Sequence, residues 1–169
     1  PEKKEEVKTQ EKEKTAPVVI PVAVGSLKAA DVCMPEKNNF YWLGIDYSHM
    51  KIQVELEPDV VKNQYFAAWN KLMLDEADKY TIKKMFNLRE IQNDISVITS
   101  VNSQANTNEM KAESAPNYSL SNITSFAGSY PSFGLSGIGI VFIAEFISKK
   151  EKEGFYHVVA INLANNEVL

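Results

Sequence analysis

The chain is short of the residues that most often announce a chemistry. Its 169 residues include one cysteine and two histidines. A single thiol, Cys33, excludes an intrachain disulfide framework and any zinc site built on a cysteine cluster. With only His49 and His157 present, a histidine-based metal site lacks ligands, and neither a metal nor a cofactor is expected. No run of Lys and Arg is free of Glu, and the net charge is −4. That balance argues against a nucleic-acid partner, which calls for a basic face. No apolar stretch approaches the roughly 18–20 residues of a membrane span. The stretch 18–24 is too short and is interrupted by Pro21. A secretory signal is also missing from the chain as written, although one could precede Pro1.

What is present is a globular composition, 44% hydrophobic, long enough to bury a core. Residues 1–16, PEKKEEVKTQEKEKTA, differ from the rest. Lys and Glu alternate and almost nothing can be buried, so a disordered, solvated tether is expected. Residues 17–169 are expected to form a single domain.

The densest apolar run begins at Gly137 and ends at Leu163, and a charged tip at 149–154 divides it. Both halves are rich in β-branched and aromatic residues, which predicts a long β-hairpin. Residues 40–48, FYWLGIDYS, predict a strand buried on both faces. Tyr41, Leu43, Ile45 and Tyr47 fall on one side; Phe40, Trp42, Gly44 and Asp46 fall on the other. Alternation at 50–56 predicts a half-buried second strand, joined through a hairpin, a bend or a bulge at Ser48-His49.

Glu57-Pro58-Asp59 opens a helix expected to run to about Tyr80. Its apolar stripe comprises Val61, Tyr65, Phe66, Trp69, Met73 and their neighbours, with Asn70 facing away. ISVITSV at 95–101 reads as a buried strand. A long polar loop follows at 102–117, then a helix at 119–130 capped by Ser119 or Ser121. An edge strand or a draped segment is expected at 18–24, because Pro21 bars a central position. The resulting order is β–β–α–β–α–β–β. It predicts one α+β domain, a mixed or antiparallel sheet with helices mainly on one face.

Three groups suggest chemistry. FGLSGIG at 133–139 has the spacing G-x-x-G-x-G and leads into a strand, so it lacks the helix N-terminus on which a phosphate loop depends. Its glycines are expected to serve positive φ or close packing. Asp46, Ser48 and His49 form the only Asp–Ser–His cluster, yet neighbours on one strand rarely converge as a triad requires. Glu145 would approach Asp46 if their strands are adjacent, and two buried carboxylates would suit acid–base work. The plainer expectation is that each carboxylate meets solvent or a lysine.

Three stretches together resemble a family of exported bacterial proteins of unknown function in which a Lys/Glu-rich stretch follows the signal. They are YWLGIDYS at 41–48, FAAWNKLMLDEADKY at 66–80 and the final segment, 134–169. The resemblance implies a periplasmic or cell-surface location and assigns no functional residue. The expected function is therefore a non-catalytic exported module, binding or assembling at a cell envelope. Its rival is a small hydrolase or other enzyme using Asp46, His49 and Glu145.

The last residues carry a further expectation. Ala164 to Glu167 read as a turn, and Val168-Leu169 begin an apolar segment. The chain is therefore expected to continue beyond Leu169 with a strand antiparallel to 155–163. Without that strand, 155–163 keeps an open edge, which invites a homodimer.

Overall fold

The computed structural model describes residues 27–169. The expected tether at 1–16 and the edge strand at 18–24 lie outside the described residues. One mixed sheet of six strands organises the rest, and the fold is α+β. The strands are β1 (Phe40–Asp46), β2 (Lys51–Gln53), β3 (Gln92–Asn93), β4 (Ile138–Ser148), β5 (Glu153–Asn162) and β6 (Glu167–Val168). Along the sheet the order is β3-β1-β4-β5-β6, with β2 also against β4.

The expected hairpin is β4 and β5, antiparallel from Ile138↔Asn162 to Ser148↔Glu153. Lys152 takes the left-handed turn conformation (φ 56°) at the tip. Every residue of β1 is buried. β1 lies parallel to both β3 and β4, and parallel strands need cover on both faces. A turn follows β5 as expected but ends before Glu167, which already belongs to β6; β6 runs antiparallel to β5, pairing Ile161 with Val168. Asn166 supplies the positive φ of 59°.

Ser48-His49 proves to be a bend. β2 lies parallel to β4, at Phe146–Ser148, so β1 and β2 run in the same direction along one edge of the same strand. The second strand is shorter than the alternation at 50–56 suggested.

Helices lie against both faces, with the longest stretch on one of them. That stretch joins α2 (Pro58–Val60), a π-helical segment (Val61–Phe66) and α3 (Ala67–Asp75), with helical backbone angles at every junction. It covers Trp42, Ile45, Tyr47, Met50 and Ile140, as does α4 (Ile82–Met85). On the other face, α5 (Ser96–Ser103) and α6 (Leu120–Gly128) bury Ile98, Ile123 and Ala127 against Leu43, Val141 and Ile161. A short helix, α1 (Ala29–Val32), precedes β1.

Two local features differ from expectation for identifiable reasons. The 95–101 segment is the helix α5, despite its β-branched residues. Asp94 Oδ1 accepts the Ser96 N–H at 3.1 Å and its hydroxyl at 2.6 Å, holding the first turn. Ile98 and Asn102 then fall one turn apart on the buried side, and packing overrides propensity.

The second feature is the π-helical segment. Its wider turn spaces the buried Val61 and Phe66 five residues apart, which shifts the face that follows. Asn70 is thereby turned inward to 1% exposure, and Leu72 is turned out to 39%.

Candidate functional site

The sequence-marked residues sit at the carboxyl end of β1, and a bulge decides how. Trp42 pairs with Ile140 and Gly44 with Val141, so Leu43 is an extra residue on β1. Such an insertion swaps the faces that follow it. Gly44 takes φ +99°, a conformation costly for any residue with a Cβ. Asp46 is therefore on the side of Tyr41 and Leu43, and Ile45 and Tyr47 join Trp42 on the other.

Asp46 is fully buried. Its Oδ2 accepts the Tyr130 hydroxyl at 2.6 Å, and its Oδ1 accepts the Ser48 N–H at 2.7 Å. Burial first, then the Asp46 charge, raises the Tyr130 pKa, so this phenol stays a proton donor. A cleft of about 480 Å³ opens beside this pair. It is lined by the β1–β2 bend, the C-terminal ends of α5 and α6, and Tyr118. Crevices outside the carboxyl ends of parallel strands are common ligand sites.

The His49 ring lines this cleft but lies flat on Phe126, with centroids 3.7 Å apart. Loss of solvent lowers the His49 pKa, Asp46 opposes the shift, and Lys51 adds to it. The Tyr118 hydroxyl donates to the His49 carbonyl at 2.6 Å. Ser48 Oγ is buried with no partner among the described residues. No hydrogen bond links the His49 ring to Ser48 or Asp46, so a relay from base to nucleophile is not assembled here.

Glu145 belongs to a separate group. It is the extra residue of a second bulge, between Ala144↔Tyr156 and Phe146↔Phe155. Its side chain is buried and approaches His157 Nε2 at 2.5 Å, while Oε1 accepts the Asn117 N–H at 2.7 Å. β1 and β4 are adjacent, as a meeting of Asp46 and Glu145 required. Yet the two carboxylates have different hydrogen-bond partners. Neither points to solvent or pairs with a lysine, so the plainer expectation for them is also corrected.

FGLSGIG behaves structurally. Gly137 has φ +127°, and a Cβ there would stand 2.5 Å from the Asn39 carbonyl oxygen. Cys33 is exposed and free. Among the described residues no group of three or more His, Cys, Asp or Glu could hold a metal ion. No helix among them is long and apolar enough to cross a membrane.

The residues that sequence reasoning passed over are Asn70, Asn102, Tyr130 and an apolar groove on the opposite face. The groove, about 510 Å³, lies between the α3–α4 region and the β4–β5 hairpin. Ile45, Met73, Ile82, Met85, Phe142 and Tyr156 line it, with Lys79 and Lys84. Met85 is 63% exposed, Tyr156 42% and the adjacent Val158 53%. The one sequence signal was an apolar outer strand with few charges between Gly154 and Val159.

Comparison with protein-family models, with curated proteins and with solved structures finds no match for this chain.

Proposed function

We propose that the protein is a non-catalytic exported module that binds a partner at a bacterial cell envelope. The observation that carries the binding part is the apolar surface of β5 that the described residues leave exposed, with the groove beside it. Large exposed apolar areas mark interaction sites more often than they occur by chance. Tyr156 and Val158 share the face of Phe142 and Ala144, as their register requires. The Lys/Glu-rich start of the sequence supports export, as a spacer between a domain and an anchor.

The hydrolase reading asks Asp46, His49 and Glu145 to share a proton path. Their hydrogen bonds instead tie Asp46 to Tyr130 and Ser48, and Glu145 to His157 and Asn117. These contacts support structural roles. A second copy is a further partner to consider. Among the described residues no strand lies on the side of β5 away from β4 between Glu153 and Val159, and an unpaired edge templates pairing.

The test uses the full-length gene in its own host. Fractionation should place the protein in the envelope or outside the cell. A photo-crosslinking residue at Val158 should give a discrete adduct there. Recovery from the cytosol, or no adduct at Val158, overturns the reading.

A further inference from the structure

We propose that the groove between α4 and the β4–β5 hairpin binds an anionic amphiphile, a single unbranched alkyl chain ending in a carboxylate, with its head at Lys84. The proposal rests on the binding-module reading and names the chemistry of the ligand.

The first argument is shape and lining. At about 510 Å³ the groove is within the range of small-molecule sites, roughly 300–1,000 Å³, which are mostly apolar with a few placed polar groups. One wall carries Met73, Ile82 and Met85; the other carries Phe142 and Tyr156. Unbranched thioethers rearrange at little cost around a flexible chain, and flat aromatic faces offer it continuous contact.

The second argument is how little polarity the groove has, and of which sign. The Thr81 hydroxyl is already bonded to the Asp78 carbonyl at 3.0 Å. Lys79 is held by Glu76 at 3.2 Å and lies 4.9 Å from the Tyr80 ring centroid. Lys84 lines the groove with no acidic partner among the described residues. The Tyr156 hydroxyl also has no hydrogen-bond partner among them. The groove therefore offers an unspent cation and a hydroxyl donor beside an apolar trough. A carboxylate on an alkyl chain matches both. A sugar or a nucleobase would bring many polar groups that this lining leaves unpaired, at a cost in affinity. An extended peptide would do the same through its backbone.

The experiment is calorimetric titration of the 169-residue chain with sodium laurate, below its micelle concentration, and with dodecyltrimethylammonium bromide. Laurate should bind at least tenfold more tightly than the cationic amphiphile. Lys84→Glu should weaken laurate at least fivefold, and Met85→Glu at least tenfold. Both positions are exposed, so the fold should persist, and circular dichroism checks it. Lys83→Glu, on the neighbouring exposed lysine that does not line the groove, should change laurate affinity less than twofold.

Equal binding of both amphiphiles, or equal effects of Lys83→Glu and Lys84→Glu, overturns the assignment of the head to Lys84. Absence of laurate binding overturns the ligand class altogether. A discrete adduct at Val158 in the envelope would still stand in either case, so failure of this proposal is distinguishable from failure of the binding-module reading.

Discussion

The Asn70 side chain grips the backbone of Ile45 at both of its polar atoms. Oδ1 accepts the Ile45 N–H at 2.6 Å, and Nδ2 donates to the Ile45 carbonyl at 2.9 Å. Asn102 repeats the device from α5. Its Oδ1 accepts the Tyr47 N–H at 2.6 Å, and its Nδ2 donates to the same Ile45 carbonyl at 2.9 Å. β3 is paired with β1 only at Tyr41 and Trp42. Beyond that point two buried amide side chains do what a longer edge strand would do, because buried backbone groups must be paired.

Asn70→Leu should therefore destabilise more than its similar volume suggests. It leaves the Ile45 N–H buried and unpaired, at about 1–3 kcal/mol. Gly44→Ala should be costly for a linked reason: its Cβ would stand 2.8 Å from Asn70 Oδ1, in a backbone held at φ +99°. Urea denaturation of both variants checks this. A wild-type midpoint for Asn70→Leu would show that the bonds to Ile45 contribute nothing net.

Tyr130→Phe isolates the buried carboxylate. The substitution keeps the ring and its edge-on contact with Phe133, but leaves Asp46 with the Ser48 N–H alone. A loss of about 1–3 kcal/mol is expected. Asp46→Asn in the same background should recover part of it, since a neutral amide is cheaper to bury unpaired than a charge. A double-mutant cycle measures the coupling, and additive losses would mean that the 2.6 Å bond is not a coupled pair.

The His49 ring sets a direction for pH dependence. Burial on Phe126 lowers its folded pKa, so the unfolded chain binds the proton more readily. Stability from this group is present above the ordinary value of about 6.5, and it is lost as pH falls below that value toward the folded pKa. The urea midpoint should drop between about pH 7.5 and pH 5. His49→Phe keeps a flat ring on Phe126, and its drop should be smaller. An identical drop in both proteins would remove His49 as the cause.

How much of this was legible depended on whether the signal was local. The β4–β5 hairpin could be read because its β-branched, aromatic halves and charged tip are adjacent in sequence. The cap of α6 was legible as one of two serines, Ser119 or Ser121, and Ser119 is the one that serves. Its hydroxyl and the Asn122 amide form a reciprocal box within four residues. Asn70 and Asn102 could not be found the same way. Asn70 reads as the outer face of a helix and Asn102 as the start of a polar loop, and only the register of a distant strand edge makes them core. Asp46 was marked for the wrong surroundings, because the extra residue at Leu43 turned it toward Tyr130. The strand expected at 95–101 failed for a similar reason: β-branched composition argued one way, and the spacing of Ile98 and Asn102 beneath the sheet argued the other.

Glu145 provides the last test, of a carboxylate that organises a loop rather than a reaction. It bonds the Asn117 N–H through one oxygen and His157 through the other. Asn117 has a left-handed backbone (φ 57°) just before the cap of α6. The loop thus enters the helix through a conformation that Asn tolerates better than most residues, and Glu145 fixes it there. Glu145→Gln can keep an oxygen on the Asn117 N–H while removing the charge facing His157. Glu145→Ala removes both bonds. In hydrogen exchange, the Asn117 amide should keep most of its protection in Glu145→Gln and lose it in Glu145→Ala. Amides in the middle of α6 should be less affected, because the Ser119–Asn122 box remains. Equal loss of protection in both variants would show that the contact with His157, and not the bond to Asn117, holds this segment.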